Sequence, residues 1–522
     1  MQIGARYPWD VTASTWNEPM MPSLMTETID HRDHSRLLDL GRQVGELRAA
    51  VAEEGRRIFQ GWRPEIHRPS FAASALNLAH YRALRHHDIR ALQRALMRYG
   101  LSSLGRLESR VLPVLDSVEA ALQRMAGGEL ASASRFPSER QFFRGEQHLL
   151  ASTKGLFGPA LKGREGRILV TLSAEDAQSP DHVLDPARQG MDAVRINCAH
   201  DDETAWGAMI GHVRNAERAL GRQIKILMDI AGPKCRTEEV WVAPDRKALF
   251  AGDRLLLCRS ALAEHSRFQF RATCNLPEVI DRLAVGDRVY VDDGRFAGHV
   301  EALEDAGAVL VIERTKAKGG KLKTQKGLNF PDTDLGLDPL GPKDLADLDF
   351  VCRHADMIGY SFVQTVADVR LLQDELARRR ADWSKLGLVA KIETPRALHN
   401  LPDLIVQAAG RQPFAVMIAR GDLAVEIGFE RLAEMQEEML WLCEAAHVPV
   451  IWATQVLESL VKKGLPSRGD MTDAAMSARA ECVMLNKGPN VGAAIGALDG
   501  LLRRMSEHQF KKTPRLRALR SW

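Results

Sequence analysis

Short apolar runs that alternate with amphipathic stretches constrain the fold of this chain more than any other feature. Eight such runs follow one another after residue 165, and helical periodicity follows each of them. Eight buried strands, each followed by a helix, are typical of a closed parallel barrel. The sequence therefore predicts an α/β protein built on a (β/α)8 barrel, a TIM barrel. The runs are ILVTL (168–172), DAVRIN (192–197), IKILMDI (224–230), ADMIGYSFV (355–363), LGLVAKIE (386–393), FAVMIARGD (414–422), PVIWATQ (449–455) and CVMLN (482–486).

The alternation is interrupted between the third and fourth runs, at residues 238–324. Turn-forming pairs such as Gly252-Asp253 and Asp293-Gly294 separate short β-like segments there, among them RLLLC and RVYVD. We expect a small β-barrel domain inserted at the top of the barrel, where it can act as a lid. The barrel itself would then comprise residues 165–237 and 325–510.

The two ends of the chain follow different patterns. Residues 1–35 contain three prolines and little periodicity, which predicts a loosely structured lead-in. Apolar residues recur at steps of three and four over residues 36–150, which predicts an N-terminal helical domain. Docking on the barrel or an oligomer contact explains this domain with the fewest assumptions, and ligand sensing is the alternative. Residues 511–522 form a basic tail that we expect to be a solvated end.

Composition narrows the function classes. The chain has 71 basic and 68 acidic residues, a net charge of only +3, which indicates neither a nucleic-acid partner nor a membrane surface. Its seven cysteines form no C-x-x-C pair, which fits a reducing compartment. No secretion signal or run of about eighteen apolar residues is present. We therefore expect a cytoplasmic protein.

Polar side chains gather at the ends of five predicted strands. In barrels of this kind catalytic residues stand at the C-terminal ends of the strands, where polar side chains are hard to explain by packing. We therefore expect cations, carboxylates and a hydroxyl to face one mouth of the barrel. The candidates are Arg195, Asn197, His200, Asp229, Lys234, Arg236, Lys391, Glu393, Arg420, Gly421, Asp422 and Thr454.

Two of these candidates, Glu393 and Asp422, are carboxylates on neighbouring strands. Such a pair suits Mg²⁺ or Mn²⁺, which keeps waters and binds substrate oxygens. Arg195, Arg236 and Lys391 add positive charge that an anionic substrate would justify. A ring of structural salt bridges is the alternative, which is disfavoured because buried ion pairs rarely offset their desolvation. Phosphoryl transfer needs this mixture of carboxylates and cations, since its catalysis is mostly positioning and neutralisation of charge.

Seven segments of the chain, in order, resemble the motifs of the pyruvate kinase family. Together they span roughly residues 165–505. The fold of that family, a barrel with a β lid inserted after the third strand, agrees with the architecture predicted above. The segments are VRINCAH (194–200), DIAGPKCRT (229–237), VYVDDG (289–294), KGLNFP (326–331), AKIE (390–393), ARGDLAVEI (419–427) and IWATQVLES (451–459).

The resemblance implies a binding site for phosphoenolpyruvate. Glu393 and Asp422 would hold the Mg²⁺ that bridges this substrate. The substrate carboxylate would lie against the backbone of Gly421 and Asp422, near Thr454, which is also a catalytic candidate. The enolate left after transfer must then be protonated on carbon to give pyruvate.

The resemblance also implies roles for the cations and for the nucleotide side of the site. The transferring phosphoryl group would be neutralised by Lys391, Arg195 and Arg236. The phosphates of ADP or ATP would be bound by Asn197, His200 and Lys326, the last of which reaches them from the lid hinge.

The chain departs from the family pattern after the first and eighth strands. Gly-Pro-Ala-Ser is replaced by residues 173–176, SAED, and Ser-Gly-Glu-Thr is replaced by residues 486–489, NKGP. In the family, the loop after the eighth strand is associated with protonation of the enolate. We therefore expect slower turnover or a different proton donor. The chain also ends soon after the eighth helix, so we expect no C-terminal effector domain and no regulation by a sugar phosphate.

A further departure concerns potassium, which many members of the family hold between an Asn, a Ser, an Asp and a Thr. The matching residues here are Asn197, Ala199, Asp229 and Ile230, so both hydroxyls are missing. Lys234 stands where those enzymes often carry Glu, and its ammonium could supply a fixed positive charge near the phosphates. We expect activity without potassium.

Phosphoryl transfer from phosphoenolpyruvate to ADP is the main hypothesis, in an enzyme that we expect to be a homo-oligomer. One alternative is a Mg²⁺-dependent lyase or decarboxylase that stabilises a pyruvate enolate, which would need neither Lys326, His200 nor a lid. Another is a catalytically impaired barrel with a binding or regulatory role.

Overall fold

The structure, a computed structural model, describes residues 31–127, 134–260 and 267–515. Most of the predicted lead-in, residues 1–30, and the end of the basic tail, residues 516–522, lie outside these ranges. The described helical region runs from His31 to Phe157, somewhat beyond the predicted limits of the helical domain. Its helices are α1 (His31–Trp62), α2 (Pro69–Leu84), α3 (Arg90–Met97), α4 (Val111–Met125) and α5 (Glu139–Phe157).

Eight parallel strands close a barrel, as predicted, and each of the eight apolar runs overlaps one of them. Each strand is flanked in the barrel by its neighbours in chain order, and the first strand pairs with the last to close the ring. The strands are β1 (Arg167–Thr171), β2 (Ala193–Asn197), β3 (Lys225–Ile230), β11 (Met357–Tyr360), β12 (Gly387–Ile392), β13 (Phe414–Ala419), β14 (Val450–Ala453) and β15 (Cys482–Leu485).

Helices surround the barrel and cover the outward faces of its strands. Both faces of each strand are therefore buried, which is why the runs are almost continuously apolar. The helices are α6 (Asp181–Gln189), α7 (Glu203–Leu220), α8 (Pro342–His354), α9 (Val366–Arg379), α10 (Pro395–His399), α11 (Leu401–Ala409), α12 (Arg420–Ile427), α13 (Phe429–Ala445), α14 (Glu458–Lys463), α15 (Arg468–Ser477) and α16 (Val491–Ser506).

The interior of the barrel is a packed core of inward-facing side chains. Leu169, Val389 and Ile451 belong to this core, and Leu156 and Phe157 from the end of α5 pack into the same cluster. The chain that leads into β1 therefore contributes directly to the barrel interior.

The predicted insertion forms a seven-stranded β domain with its own apolar core. Its edges meet at an isolated bridge between Arg236 and Gly327, so the sheet curls back on itself where it joins the barrel. The last strand lies beyond residue 324, the predicted limit of the lid, because it pairs with β7 rather than with the barrel. The strands are β4 (Thr237–Val242), β5 (Arg254–Cys258), β6 (Phe270–Cys274), β7 (Arg288–Val291), β8 (Phe296–Glu304), β9 (Gly307–Arg314) and β10 (Leu328–Asn329).

The N-terminal helices dock on the barrel and share one continuous apolar core with it. Trp62 donates a hydrogen bond from Nε1 to Asp403 Oδ1 at 2.7 Å, and the side-chain amide of Asn77 donates to the Ala445 carbonyl at 2.8 Å. These partly buried hydrogen bonds between the two parts fix their relative orientation as well as their contact. Docking on the barrel, one of the interpretations given for this region, is therefore present in the structure.

The start of the basic tail is also docked, contrary to the expectation of a solvated end. A short hairpin of β16 (Gln509–Phe510) and β17 (Thr513–Pro514) precedes residue 515. Lys511 is buried and pairs with Glu481, and Lys512 pairs with the buried Glu108 of the helical region. Glu108 is buried and Glu481 is about one-tenth exposed, so both carboxylates need cationic partners, which the sequence of the tail alone could not show.

Within the described residues, no helix is both long and apolar enough to cross a membrane.

Candidate active site

Asp229 is the centre of a buried cluster at the C-terminal mouth of the barrel. Its carboxylate is fully buried and accepts a hydrogen bond from Arg195 Nε at 2.8 Å. Lys391 Nζ lies 3.4 Å from the same carboxylate, and Ser361 Oγ lies 3.3 Å from it. Gly359 on the adjacent strand leaves the necessary space, since a Cβ there would lie 2.6 Å from Asp229 Oδ1.

The charges in this cluster stabilise one another. Burial tends to raise the pKa of Asp229, but Lys391 and Arg195 outweigh it, so the pKa is lowered. Burial tends to lower the pKa of Lys391, but Asp229 and Glu393 outweigh it, so that pKa is raised. The carboxylate of Asp229 therefore stays ionised and the ammonium of Lys391 stays protonated across the neutral range.

Glu393 extends the cluster from the end of β12. It is 2% exposed, lies 3.1 Å from Lys391 Nζ, and accepts a hydrogen bond from the backbone N–H of Phe362 at 2.6 Å. Burial raises the pKa of Glu393 despite the opposing charge of Lys391, and the nearby carboxylate of Asp422 adds to the increase. A cation bound between the two carboxylates would favour the ionised form of Glu393.

Asp422 is the second carboxylate and lies in the first turn of α12. Its Oδ1 pairs with Lys234 Nζ at 2.6 Å, and both side chains are about one-fifth exposed. Within the described part of the chain, no group of three or more His, Cys, Asp or Glu side chains could hold a metal ion. A cation here would therefore take Glu393 and Asp422 as protein ligands and complete its coordination with substrate and water oxygens, which fits Mg²⁺.

Thr454 faces Gly421 across the end of the barrel. The Thr454 backbone has φ of 65°, and a Cβ on Gly421 would lie 3.6 Å from the Thr454 methyl carbon. Arg420 holds this turn, because its guanidinium donates to the carbonyls of Ala453 at 2.8 Å and Thr454 at 2.6 Å. The same guanidinium pairs with Asp473. Arg420 is therefore a positioning residue, a role that could not be assigned from the sequence.

The residues predicted to bind nucleotide phosphates lie around this cluster. His200 is exposed on one side. Partial burial of its ring lowers its pKa, and the positive charges of Lys487 and Arg236 lower it further. Lys326 Nζ pairs with Asp292 of the lid at 2.9 Å. Asn197 uses its side-chain oxygen to accept from the Ala199 N–H at 3.2 Å.

Arg236 stands apart from the other predicted cations. Its backbone lies in the bridge that closes the lid, and its N–H donates to Asn275 Oδ1 at 2.7 Å. Among the described residues its guanidinium forms no ion pair. Its charge lowers the pKa of His200, so the two side chains face a common region of the mouth.

The structure also includes Ser361, which was not among the candidates predicted from the sequence. Its hydroxyl accepts a hydrogen bond from Lys391 Nζ at 2.7 Å and donates to the Ile230 carbonyl at the same distance. Ser361 lies just after β11, within the fourth apolar run. The strand-end rule that found the other candidates would have found this residue too.

Comparisons with known proteins agree with this architecture. The barrel domain of pyruvate kinase matches residues 163–493. A pyruvate kinase of Agrobacterium vitis is 31% identical over 363 residues, covering 66% of this chain and 70% of the relative. One from Mycobacterium intracellulare is 30% identical, covering 63% of this chain and 66% of the relative, and one from Geobacillus stearothermophilus is 30% identical, covering 60% and 51%.

A solved structure supports the fold separately. The crystal structure of a pyruvate kinase from Cryptosporidium parvum superposes with a TM-score of 0.58 at 24% identity, covering 67% of this chain and 72% of that one. This chain spans about half to two thirds of the length of the first two relatives. Since the barrel-domain match alone covers well over half of the sequence, the chain belongs to the pyruvate kinase family.

Proposed function

We propose that this chain transfers the phosphoryl group of phosphoenolpyruvate to ADP, giving pyruvate and ATP in a Mg²⁺-dependent reaction. The observation that carries the proposal is the buried cluster of Lys391, Asp229, Arg195 and Glu393 beside the second carboxylate, Asp422. It combines fixed cations with a pair of carboxylates, which suits the transfer of a highly charged group.

A purely structural network of salt bridges explains this arrangement less well. In such a network the carboxylate of Asp422 would not be expected beside Glu393. Burial already raises the pKa of Glu393, and the charge of Asp422 raises it further. Nor does such a network need a cation such as Arg236, which has no ion-pair partner among the described residues. Both features are useful when a cation and an anionic substrate bind at the mouth.

Phosphoenolpyruvate would bind between α12 and the buried cations. The N–H groups of Gly421 and Asp422 lie at the start of α12, where the helix dipole favours a carboxylate. The absence of a side chain at Gly421 keeps this position open beside Thr454. Mg²⁺ bound to Glu393 and Asp422 would neutralise charge that develops on the substrate oxygens.

Lys391 and Arg195 would stabilise the transferring phosphoryl group. Both side chains are about one-tenth exposed and are held by Asp229, so their charges are already oriented before substrate binds. Fixed charges in a site that excludes water lower the barrier because they need no reorganisation during the reaction. Arg420 holds the turn at Thr454 and would thereby keep the substrate carboxylate in place.

ADP would approach from the side of the lid. Arg236 and Lys326 would face its phosphates, together with Asn197 and with a His200 that is mostly neutral at pH 7 because its pKa is lowered. Lys326 would have to leave Asp292 to reach a phosphate. Lys326 lies at the base of the lid, next to the bridge between Arg236 and Gly327. Movement of the lid would therefore be able to separate Lys326 from Asp292.

We further propose that the enzyme works without potassium, with Lys234 as the fixed cation. In the structure Lys234 lies against Asp422, and the pocket around Asp229 is occupied by Arg195, Lys391 and Ser361. The ammonium of Lys234 therefore lies beside Asp422 and not beside Asp229. From this position its positive charge would still offset part of the negative charge of the phosphates when they bind.

Phosphorus NMR tests the proposed reaction directly. Incubation of the protein with phosphoenolpyruvate, ADP and Mg²⁺ should convert the phosphoenolpyruvate signal into the γ-phosphate signal of ATP, one for one. Without ADP the substrate signal should persist. Phosphate release that does not depend on ADP, or an unchanged substrate signal in the complete mixture, would contradict the proposal.

A further inference from the structure

A cavity of about 580 Å³ lies between the N-terminal helices and the barrel. It is bordered by α2, the start of α4, the start of α5 and His447. His447 precedes β14, whereas Thr454 follows that strand at the candidate active site. The cavity is therefore at the opposite end of the barrel, and a molecule bound there would not occupy the phosphoenolpyruvate site.

The charged lining of this cavity is predominantly positive. Asp116, its only acidic lining residue among those described, is already neutralised by Arg48 at 2.7 Å. Arg110 pairs with Glu146, but within the described residues neither Arg135 nor Arg144 forms an ion pair. Both are exposed, so two guanidinium groups that have no ion-pair partner in the described part of the chain lie at the surface beside the cavity.

One buried polar group in the wall has no hydrogen-bond partner among the described residues. Arg110 has an 11% exposed side chain, and its Nε is buried without a hydrogen-bond partner in the described part of the chain. His80, which is 6% exposed, lines the same cavity. Buried donors without partners destabilise a protein unless a ligand or ordered water satisfies them.

Part of the remaining wall is apolar, and part consists of groups that already have partners. Leu112, Pro113 and Phe136 provide apolar surface. His447, in contrast, donates from Nε2 to the Ser109 carbonyl at 3.0 Å and accepts from Ser74 at 2.8 Å, so both its nitrogens are occupied. The cavity therefore combines an apolar body with cationic groups at its opening.

We propose that this cavity binds a small organic anion, with its apolar body against Leu112 and Phe136 and its charge on Arg144 and Arg135. Its volume is within the usual range for small-molecule sites, and a few convergent polar groups in an apolar wall are typical of them. All of its lining residues except His447 lie outside residues 163–493. The site is therefore formed by the part of this chain that the pyruvate kinase barrel domain does not match.

Calorimetric titration of the full-length protein with anilinonaphthalene sulfonate tests the proposal. This probe is an organic anion with an apolar body, and uncharged phenylnaphthylamine has nearly the same body without the charge. We expect saturable binding of one sulfonate per chain, and binding of the uncharged compound at least tenfold weaker. Equal affinity for the two compounds, or no saturable binding of the sulfonate, would overturn the proposal.

Two variants assign the probe to this cavity. Arg144→Gln should weaken sulfonate binding about tenfold, since a charge-assisted hydrogen bond is lost. Arg140 is exposed on the same helix but does not line the cavity, so Arg140→Gln should change the affinity less than about twofold. Ala73→Trp should abolish binding by filling the cavity, with circular dichroism to establish that it folds. If Ala73→Trp does not fold, the comparison of Arg144→Gln with Arg140→Gln decides, and equal affinities for that pair place the probe elsewhere and refute the site.

Discussion

Gly145 in α5 lies close against Ser109 of the helical region and His447 of the barrel. A Cβ at this position would lie 1.9 Å from the Ser109 carbonyl oxygen and 2.4 Å from His447 Nε2. Non-bonded heavy atoms normally approach to about 3.5–4.0 Å, so Gly145→Ala would force α5 to shift or break the bond between His447 and Ser109. Overpacking of this kind costs about 1–3 kcal/mol. The better helix propensity of alanine, about 1 kcal/mol, offsets only part of it.

Gly155 supplies the matched control. It lies in the same helix, is exposed, and a Cβ added to it would meet no neighbouring atom within 4 Å. Gly155→Ala should therefore raise the free energy of unfolding by about 0.5–1 kcal/mol. Thermal unfolding followed by circular dichroism should show midpoints that move in opposite directions, with Gly145→Ala below wild type and Gly155→Ala slightly above it. A midpoint for Gly145→Ala at or above that of wild type would refute the docking contact.

Two further predictions concern charge. Burial raises the pKa of Glu444 from 4.5 to about 7. Stability should therefore be lost as pH rises through this window, because the buried carboxyl group becomes charged. In urea unfolding, Glu444→Gln should have the same free energy of unfolding as wild type at pH 4.5 and a higher one at pH 8, by at most about 3 kcal/mol. A difference that is independent of pH would contradict this assignment. Wild type should show similar initial rates with and without potassium at constant ionic strength, whereas Lys234→Glu should be severely impaired unless potassium is added, because it replaces a cation beside Asp422 with an anion. A wild-type requirement for millimolar potassium would argue against the role of Lys234.

The barrel could be predicted from sequence because its signal is local. Each strand is buried on both faces, so its apolar run is visible without knowledge of the partners. The same logic placed Arg195, Lys391, Glu393 and Asp422 at one mouth, since parallel strands in a barrel end at the same face. That these side chains lie close together in the structure follows from the register of neighbouring strands.

Other features depend on contacts between distant segments and left no local signal. Lys511 and Lys512 resemble an ordinary basic tail until Glu481 and Glu108 are brought beside them. The pairing of Lys234 with Asp422 joins residues 188 positions apart, so sequence alone indicated only that a cation was present. The cavity between helices and barrel likewise exists only after the two parts dock.

Lys391→Met is the change that tests the proposed chemistry most directly, because Lys391 is the buried cation common to Asp229 and Glu393. Pyruvate formation can be followed with a coupled dehydrogenase assay in phosphoenolpyruvate, ADP and Mg²⁺, after circular dichroism has established that both proteins are folded. Wild type should turn over, and the variant should lose roughly 10² to 10³ in kcat, the usual effect of removing one preorganised charge from the transition state. A folded variant within about tenfold of wild type, or a wild-type protein that forms no pyruvate, would contradict the account.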